Sequence, residues 1–199
     1  EISNSTDYKL TGFDVNKLRI NQLKSCIDSN DSTSSAELKK FTEKAHLTSD
    51  ISDNFSSDVY IITVPTPVDE FNNPNLKFIE SACEFVGDVI SKDFERKSLK
   101  TMPVVIYEST VYPGVADSVV RPCIESSRNL NLGVHYALGY SPERVNPGKN
   151  SAKISSIVKI TSGHDEQTRI WVDNFYKMFI AAGTHSAPSI KVAEAAKIL

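Results

Sequence analysis

Several features that would place the chain in a common class of protein are missing from it. The three cysteines, Cys26, Cys83 and Cys123, are odd in number and widely spaced, with no CxxC pair. That argues against both a zinc cluster and a disulfide framework. The four histidines, His46, His135, His164 and His185, have no metal-ligand spacing, so no metal site is read. No apolar run approaches the ~20 residues that span a bilayer. The opening Glu1-Ile2-Ser3-Asn4-Ser5 lacks the charged-then-apolar layout of a secretion leader. With 22 basic against 25 acidic residues and a net charge of −3, the chain has no basic excess. A nucleic-acid binder would show a dense Lys/Arg stripe. Reduced thiols without a leader favour the cytoplasm, away from membranes. One further absence concerns the start of the chain. A dinucleotide fold carries a G-x-G-x-x-G turn ~20 residues ahead of its ribose-binding carboxylate, yet Gly12 is the sole glycine before Asp14. The chain is therefore expected to begin after such a turn, if it has the fold at all.

What is present is an alternation of strand and helix. At 199 residues, 40% of them hydrophobic, the chain can bury a full core. Strands are expected at Tyr8–Phe13, Val59–Val64, Pro103–Tyr107, Tyr136–Tyr140 and Ile154–Thr161. The expected helices are Asn16–Ile27 (Leu18, Leu23 and Ile27 inward), Ala36–Lys44, one through Leu76, Ile79, Cys83, Val86 and Ile90, Val115–Ile124 with a kink or stop at Pro122, Asp165–Ile180 (stripe Ile170, Phe175, Met178, Phe179), and Ser189–Leu199. Asp28–Ser35 reads as a polar loop. Repeated β-α-β units imply a mostly parallel sheet between helices.

The chemistry gathers at the carboxyl ends of these strands, where open parallel sheets bind ligands. In Gly12-Phe13-Asp14-Val15-Asn16, Asp14 can accept both ribose hydroxyls of an adenosine. Arg19 can stack on the adenine or pair with a phosphate. Helix capping by Asp14 or Asn16 explains the same residues. Val64-Pro65-Thr66-Pro67 leaves a strand with exposed peptide groups and one hydroxyl, suited to a cofactor ribose or to no ligand at all. Glu108-Ser109-Thr110 offers a carboxylate and two hydroxyls. Glu143 stands beside Arg144 in a loop stiffened by Pro142 and Pro147, as a carboxylate for proton or water handling or as half of a surface ion pair. Lys197 sits among Ala193, Ala195 and Ala196, close enough to a helix surface to reach a buried oxygen or simply to face solvent.

In this order and spacing, Gly12–Asn16 with Arg19, Val64–Pro67, Glu108-Ser109-Thr110-Val111-Tyr112-Pro113-Gly114, Ser141-Pro142-Glu143-Arg144-Val145-Asn146-Pro147-Gly148, and Ala182–His185 leading to Ile190–Lys197 resemble the UDP-glucose/GDP-mannose dehydrogenase family. The Tyr112-Pro113-Gly114 and Asn146-Pro147-Gly148 variants look like its bacterial branch acting on UDP-N-acetylglucosamine or UDP-N-acetylgalactosamine for surface polysaccharides. The resemblance implies a Rossmann-like, doubly wound, mostly parallel sheet lacking its first strand-helix unit. It places an NAD-binding domain at residues 1–185, and the start of a central connecting and dimerising helix at 186–199. It also implies oxidation of a primary alcohol to a carboxylate in two steps, consuming two NAD. By that similarity Asp14 and Arg19 hold the adenosine; Val64, Pro65, Thr66, Pro67, Ser109, Thr110 and Val111 line the nicotinamide half. Thr110, Glu143 and Lys197 are catalytic, and Glu143, Arg144, Val145, Asn146 and Lys197 meet the UDP-sugar. The family's second glutamate is replaced here by Pro147. Its nucleophilic cysteine belongs to a later domain, matched by none of Cys26, Cys83 and Cys123, so the 199 residues alone are expected to show no turnover. Three other readings stand beside this one: a dehydrogenase of UDP-glucose or UDP-N-acetylmannosamine, a scaffold whose terminal helix dimerises without binding nucleotide, and a UDP-sugar-binding module without redox chemistry.

Overall fold

In the computed structural model, which describes residues 8–30, 33–51, 56–71, 73–96, 101–126, 129–143 and 154–197, the chain divides into two units. In the first, β1 (Leu10–Phe13) pairs in parallel with β2 (Ala45–Thr48), Leu10 opposite Ala45 and Phe13 opposite Thr48. Parallel neighbours need a crossover, supplied by α1 (Lys17–Lys24) and α2 (Ser35–Thr42). The Asn16 side chain starts α1 by accepting the Arg19 N–H at 3.1 Å. At the other end the Ile27 N–H reaches the Gln22 carbonyl and the Cys26 N–H the Leu23 carbonyl, both at 2.9 Å. These two bonds close a Schellman turn with Cys26 at φ 59°. A capping box opens α2: the Ser34 hydroxyl accepts the Glu37 N–H, and the Glu37 carboxylate accepts the Ser34 N–H.

The expected inward residues of α1 need correcting. Ile20 is the buried one, with Leu23 beside it half-buried, while Leu18 and Ile27 are exposed. Positions three apart share a helix face and positions two apart do not, so seating Ile20 turns Leu18 outward. β2 was not foreseen either. Its Ala-His-Leu-Thr pattern carries one strong apolar residue, and the expected helix to Lys44 ran up to its edge.

The second unit contains a five-stranded sheet in the order β3 (Val59–Ile62), β4 (Val104–Tyr107), β5 (Ala137–Tyr140), β6 (Lys159–Gly163), β7 (Thr184–Ser186). All neighbours are parallel except β5 and β6, where Tyr140 faces Ser162 in an antiparallel register. The expected mostly parallel α/β arrangement is thus borne out. Every side chain of β4 is buried, as a strand covered on both faces requires. Ile79, Cys83, Val86 and Ile90 of α3 (Lys77–Glu95) join a core with Val105, Tyr107 and Leu138. Each fully buried aliphatic side chain there contributes about 1.5–3 kcal/mol relative to exposure. At Gly87 a Cβ would stand 2.4 Å from the Ile124 carbonyl oxygen, so α3 touches the backbone of α4 (Arg121–Glu125).

The helix expected over Val115–Ile124 forms with a change of winding. Ala116–Val120 is a π-helical turn, with the Arg121 N–H bonded to the Ala116 carbonyl, and it hands over to α4. A proline inside a helix removes one donor and strikes the carbonyl four residues back, here that of Ser118, which lies in the wider turn. Two further corrections concern the strand expected over Ile154–Thr161 and the helix expected over Asp165–Ile180. Ile154–Ser156 is a 3-10 turn, and β6 begins only at Lys159. In α5 (Glu166–Lys177) the buried face is Thr168, Val172, Asp173, Phe175 and Tyr176, while Ile170 and Met178 are exposed. Asp173 can face inward because it accepts from the Thr161 hydroxyl at 2.8 Å and the Thr184 hydroxyl at 2.6 Å. The last element, α6 (Ile190–Ala195), is capped by the Ser189 hydroxyl, which accepts the Val192 N–H.

Candidate functional site

Because β3, β4 and β5 are parallel, their carboxyl ends share one edge of the sheet. The chain leaving them stays tied together. Glu108 N–H reaches the Ile62 carbonyl (2.9 Å), Ser141 N–H the Tyr107 carbonyl (3.2 Å), and Glu143 N–H the Glu108 carbonyl (3.3 Å). Beyond the last ladder bond, side chains take over. The Ser109 hydroxyl donates to the Val64 carbonyl at 2.6 Å, and the Thr66 hydroxyl to the Thr110 carbonyl at 2.7 Å. Tyr140 donates to the Ser109 carbonyl at 3.4 Å while its ring packs on Tyr107, centroids 4.4 Å apart. The segments Val64–Pro67 and Ser109–Val111 therefore form one joined rim. Ser109 and Val111 are buried and hold the rim; Thr110 is exposed on it.

At the exit of β5, Ser141 is fully buried and donates to the Ile160 carbonyl at 2.6 Å. Lys197 donates its ammonium to the backbone carbonyl of Glu143. Two sequence-predicted residues, 54 positions apart, are thus brought together at this edge. Arg144, Val145 and Asn146 lie outside the described residues.

A group that sequence reasoning did not assemble stands directly behind the rim. Glu108 pairs with Lys159 at 3.0 Å, with both side chains largely buried, and accepts the Tyr176 hydroxyl. The Lys159 ammonium also lies 5.0 Å from the Tyr176 ring centroid. Burial, reinforced by the neighbouring Glu108 carboxylate, pushes the Tyr176 hydroxyl well above its usual range, so it serves as a donor rather than an acid. Lys159 and Tyr176 are remote from Glu108 in sequence, and no local pattern announces them.

In the first unit Asp14 follows β1, its N–H bonded to the Thr48 carbonyl at 3.2 Å. Its carboxylate is exposed, with Oδ1 accepting the Asn16 N–H at 2.8 Å. Asn16, not Asp14, caps the helix, so the carboxylate is not consumed by that role. Arg19 donates to Asp28 at 2.8 Å and to the Ser29 hydroxyl at 3.2 Å. The Asp28 side chain is almost fully buried, and it also accepts the N–H groups of Asn30 and Thr33.

All three cysteines are free thiols, and burial pushes those of Cys83 and Cys123 up, away from reactivity. Among the described residues no group of His, Cys, Asp or Glu is arranged to hold a metal. No helix there is long and apolar enough to cross a membrane.

In the second unit the hydroxyl-bearing rim lies at the carboxyl edge of a largely parallel α/β sheet, the edge where open sheets of nucleotide-binding domains take their ligands. Comparison with known proteins agrees. Residues 2–180 match the NAD binding domain of the UDP-glucose/GDP-mannose dehydrogenase family. UDP-N-acetyl-D-glucosamine 6-dehydrogenase of Pseudomonas aeruginosa is 42% identical over 96% of this chain and 43% of its own length. Protein CapL of Staphylococcus aureus is 38% identical over 96% of this chain and 43% of its own. Among solved structures, a ternary complex of the P. aeruginosa GDP-mannose dehydrogenase superposes with a TM-score of 0.83 at 22% identity, covering 99% of this chain and 44% of that one. The fold is Rossmann-like, and the chain belongs to the UDP-glucose/GDP-mannose dehydrogenase family. It spans about 43% of the length of the curated relatives it matches.

Proposed function

We propose that the chain is the cofactor-binding part of an NAD-dependent dehydrogenase that oxidises the C6 alcohol of a UDP-N-acetylhexosamine to a uronic acid, for surface polysaccharide synthesis in the cytoplasm. The observation that carries this reading is the contact of Lys197 with the Glu143 carbonyl at the edge that also bears Thr110, in a chain 42% identical to a UDP-N-acetyl-D-glucosamine 6-dehydrogenase.

The donors and acceptors present fit NAD. Asp14, exposed and spared from capping, accepts the adenosine ribose hydroxyls. Asp28 holds Arg19 through one edge of its guanidinium, and the face of that group is what stacks on an adenine. Val64, Pro65, Thr66 and Pro67, joined to Ser109, Thr110 and Val111 by side-chain bonds to backbone, line the nicotinamide half. When bound, NAD supplies the hydride acceptor. The chain's own residues position and polarise. The exposed Thr110 hydroxyl orients water or the reacting oxygen. The Lys197 cation stabilises negative charge developing on the C6 oxygen, and Glu143 handles protons. Glu143, Arg144, Val145, Asn146 and Lys197 make up the set that meets the sugar nucleotide. Residues 1–185 make up the NAD-binding domain; 186–199 open a central helix through which two copies associate.

Stoichiometry tests the reading. Given UDP-N-acetyl-D-glucosamine and excess NAD, the protein at the length of its relatives forms two NADH per sugar consumed. One NADH per sugar, or no NADH with any UDP-N-acetylhexosamine, contradicts it.

A further inference from the structure

Glu194 is fully buried on α6, a helix of only six residues. Its carboxylate gathers three donors from distant parts of the second unit. Tyr107, the last residue of β4, donates its hydroxyl to Oε1 at 2.6 Å. The Gly114 N–H donates to Oε2 at 2.6 Å, and the Ala116 N–H to Oε1 at 2.9 Å. Gly114, at φ 99°, takes the left-handed bend that glycine adopts freely, and on either side of this bend the two N–H groups meet one acceptor. The Thr110–Gly114 segment, the strand beneath it and α6 are therefore pinned to a single buried group.

Adhesion alone does not account for that arrangement. Ile190 and Ala193 already seat α6 in the core, and a buried carboxylate is costly unless its oxygens are satisfied. Apolar contact is non-directional, so it leaves a short helix free to rotate and slide. Three bonds to one carboxylate fix both its rotation and its height. Lys197 lies three residues further along, on nearly the same face, and its ammonium meets the Glu143 carbonyl.

We propose that Glu194 is a positioning residue for the reaction. By holding α6 against Tyr107, Gly114 and Ala116, it sets where the Lys197 ammonium stands relative to Thr110 and Glu143. The inference rests on the reading of Lys197 as a catalytic cation.

A double-mutant cycle on kcat separates positioning from packing, using the protein at the length of its relatives with NAD and UDP-N-acetyl-D-glucosamine. Glu194→Gln keeps the volume but sets an amide N–H₂ where an acceptor is needed. It should lower kcat by about tenfold or more while the KM for NAD stays within about twofold. Added to Lys197→Ala, it should lower kcat by less than about twofold further, because the cation it positions is already gone. If Glu194→Gln does not fold, Tyr107→Phe removes one of the three donors and should cost about two- to fivefold in kcat, with the same non-additivity. Multiplicative losses, or an unchanged kcat in Glu194→Gln, overturn the inference. Full activity in Lys197→Ala alone overturns the reading of Lys197, and this inference with it.

Discussion

Asp14 shows how one residue can be tested apart from the fold. Its carboxylate is exposed and its one local bond is to the Asn16 N–H, so replacing it leaves helix α1 with its Asn16 cap. A hydrogen bond to a charged group contributes about 1.5–3 kcal/mol. Asp14→Ala should therefore weaken NAD binding by roughly 10- to 100-fold, measured by calorimetric titration, with little change in Tm; unchanged affinity would remove Asp14 from the site. Residues of this kind were legible in the sequence because they stand in short motifs next to regular elements: Asp14, Thr110 and Glu143 follow β1, β4 and β5, and Lys197 follows α6. Glu108, Lys159, Tyr176 and Glu194 were harder to read. Their side-chain hydrogen-bond partners are between 68 and 87 positions away, and a buried polar cluster leaves no periodicity. The sequence offers Ser109 and Thr66 as hydroxyls for a ligand, and the structure gives both a second task as donors to the rim's backbone.

Helices and strands were recovered where apolar residues set the period, as in α3, β4 and β5. They were misjudged where buried polar groups replaced them. The inward face of α5 carries Asp173 and Thr168, which a hydrophobic stripe cannot reveal, and β7 is Thr-His-Ser, too polar and short to stand out. The end of α1 is also unusual, since the Schellman turn places Cys26 at φ 59° where glycine is customary. A side chain in that region costs roughly 1 kcal/mol. Cys26→Gly should raise the stability of the first unit by about 0.5–1 kcal/mol, even though it gives up the 3.9 Å contact between the Cys26 sulfur and the Thr42 hydroxyl. A rise in the urea midpoint without a change in slope is the expected readout; a fall would mean that the contact outweighs the backbone strain.

At the scale of the whole molecule, topology places the chemistry. Parallel order puts the ends of β3, β4 and β5 on one edge, and cross-bonds weld the loops leaving them into a rim. The family match over residues 2–180 supplies the cofactor class. The class of fold was legible from alternating strand and helix patterns, and the family from the order of the strand-end motifs. The antiparallel β5–β6 pairing was not, because nothing in Lys159–Gly163 distinguishes a strand that reverses direction from one that does not. The central claim is that the strand-end segments receive NAD. Amide hydrogen exchange with and without saturating NAD tests it most directly. The account predicts slowed exchange in peptides covering residues 14–19, 63–67 and 108–114, with the outward face of α5 unchanged. Protection confined to other segments, or none at all under saturation, would contradict it.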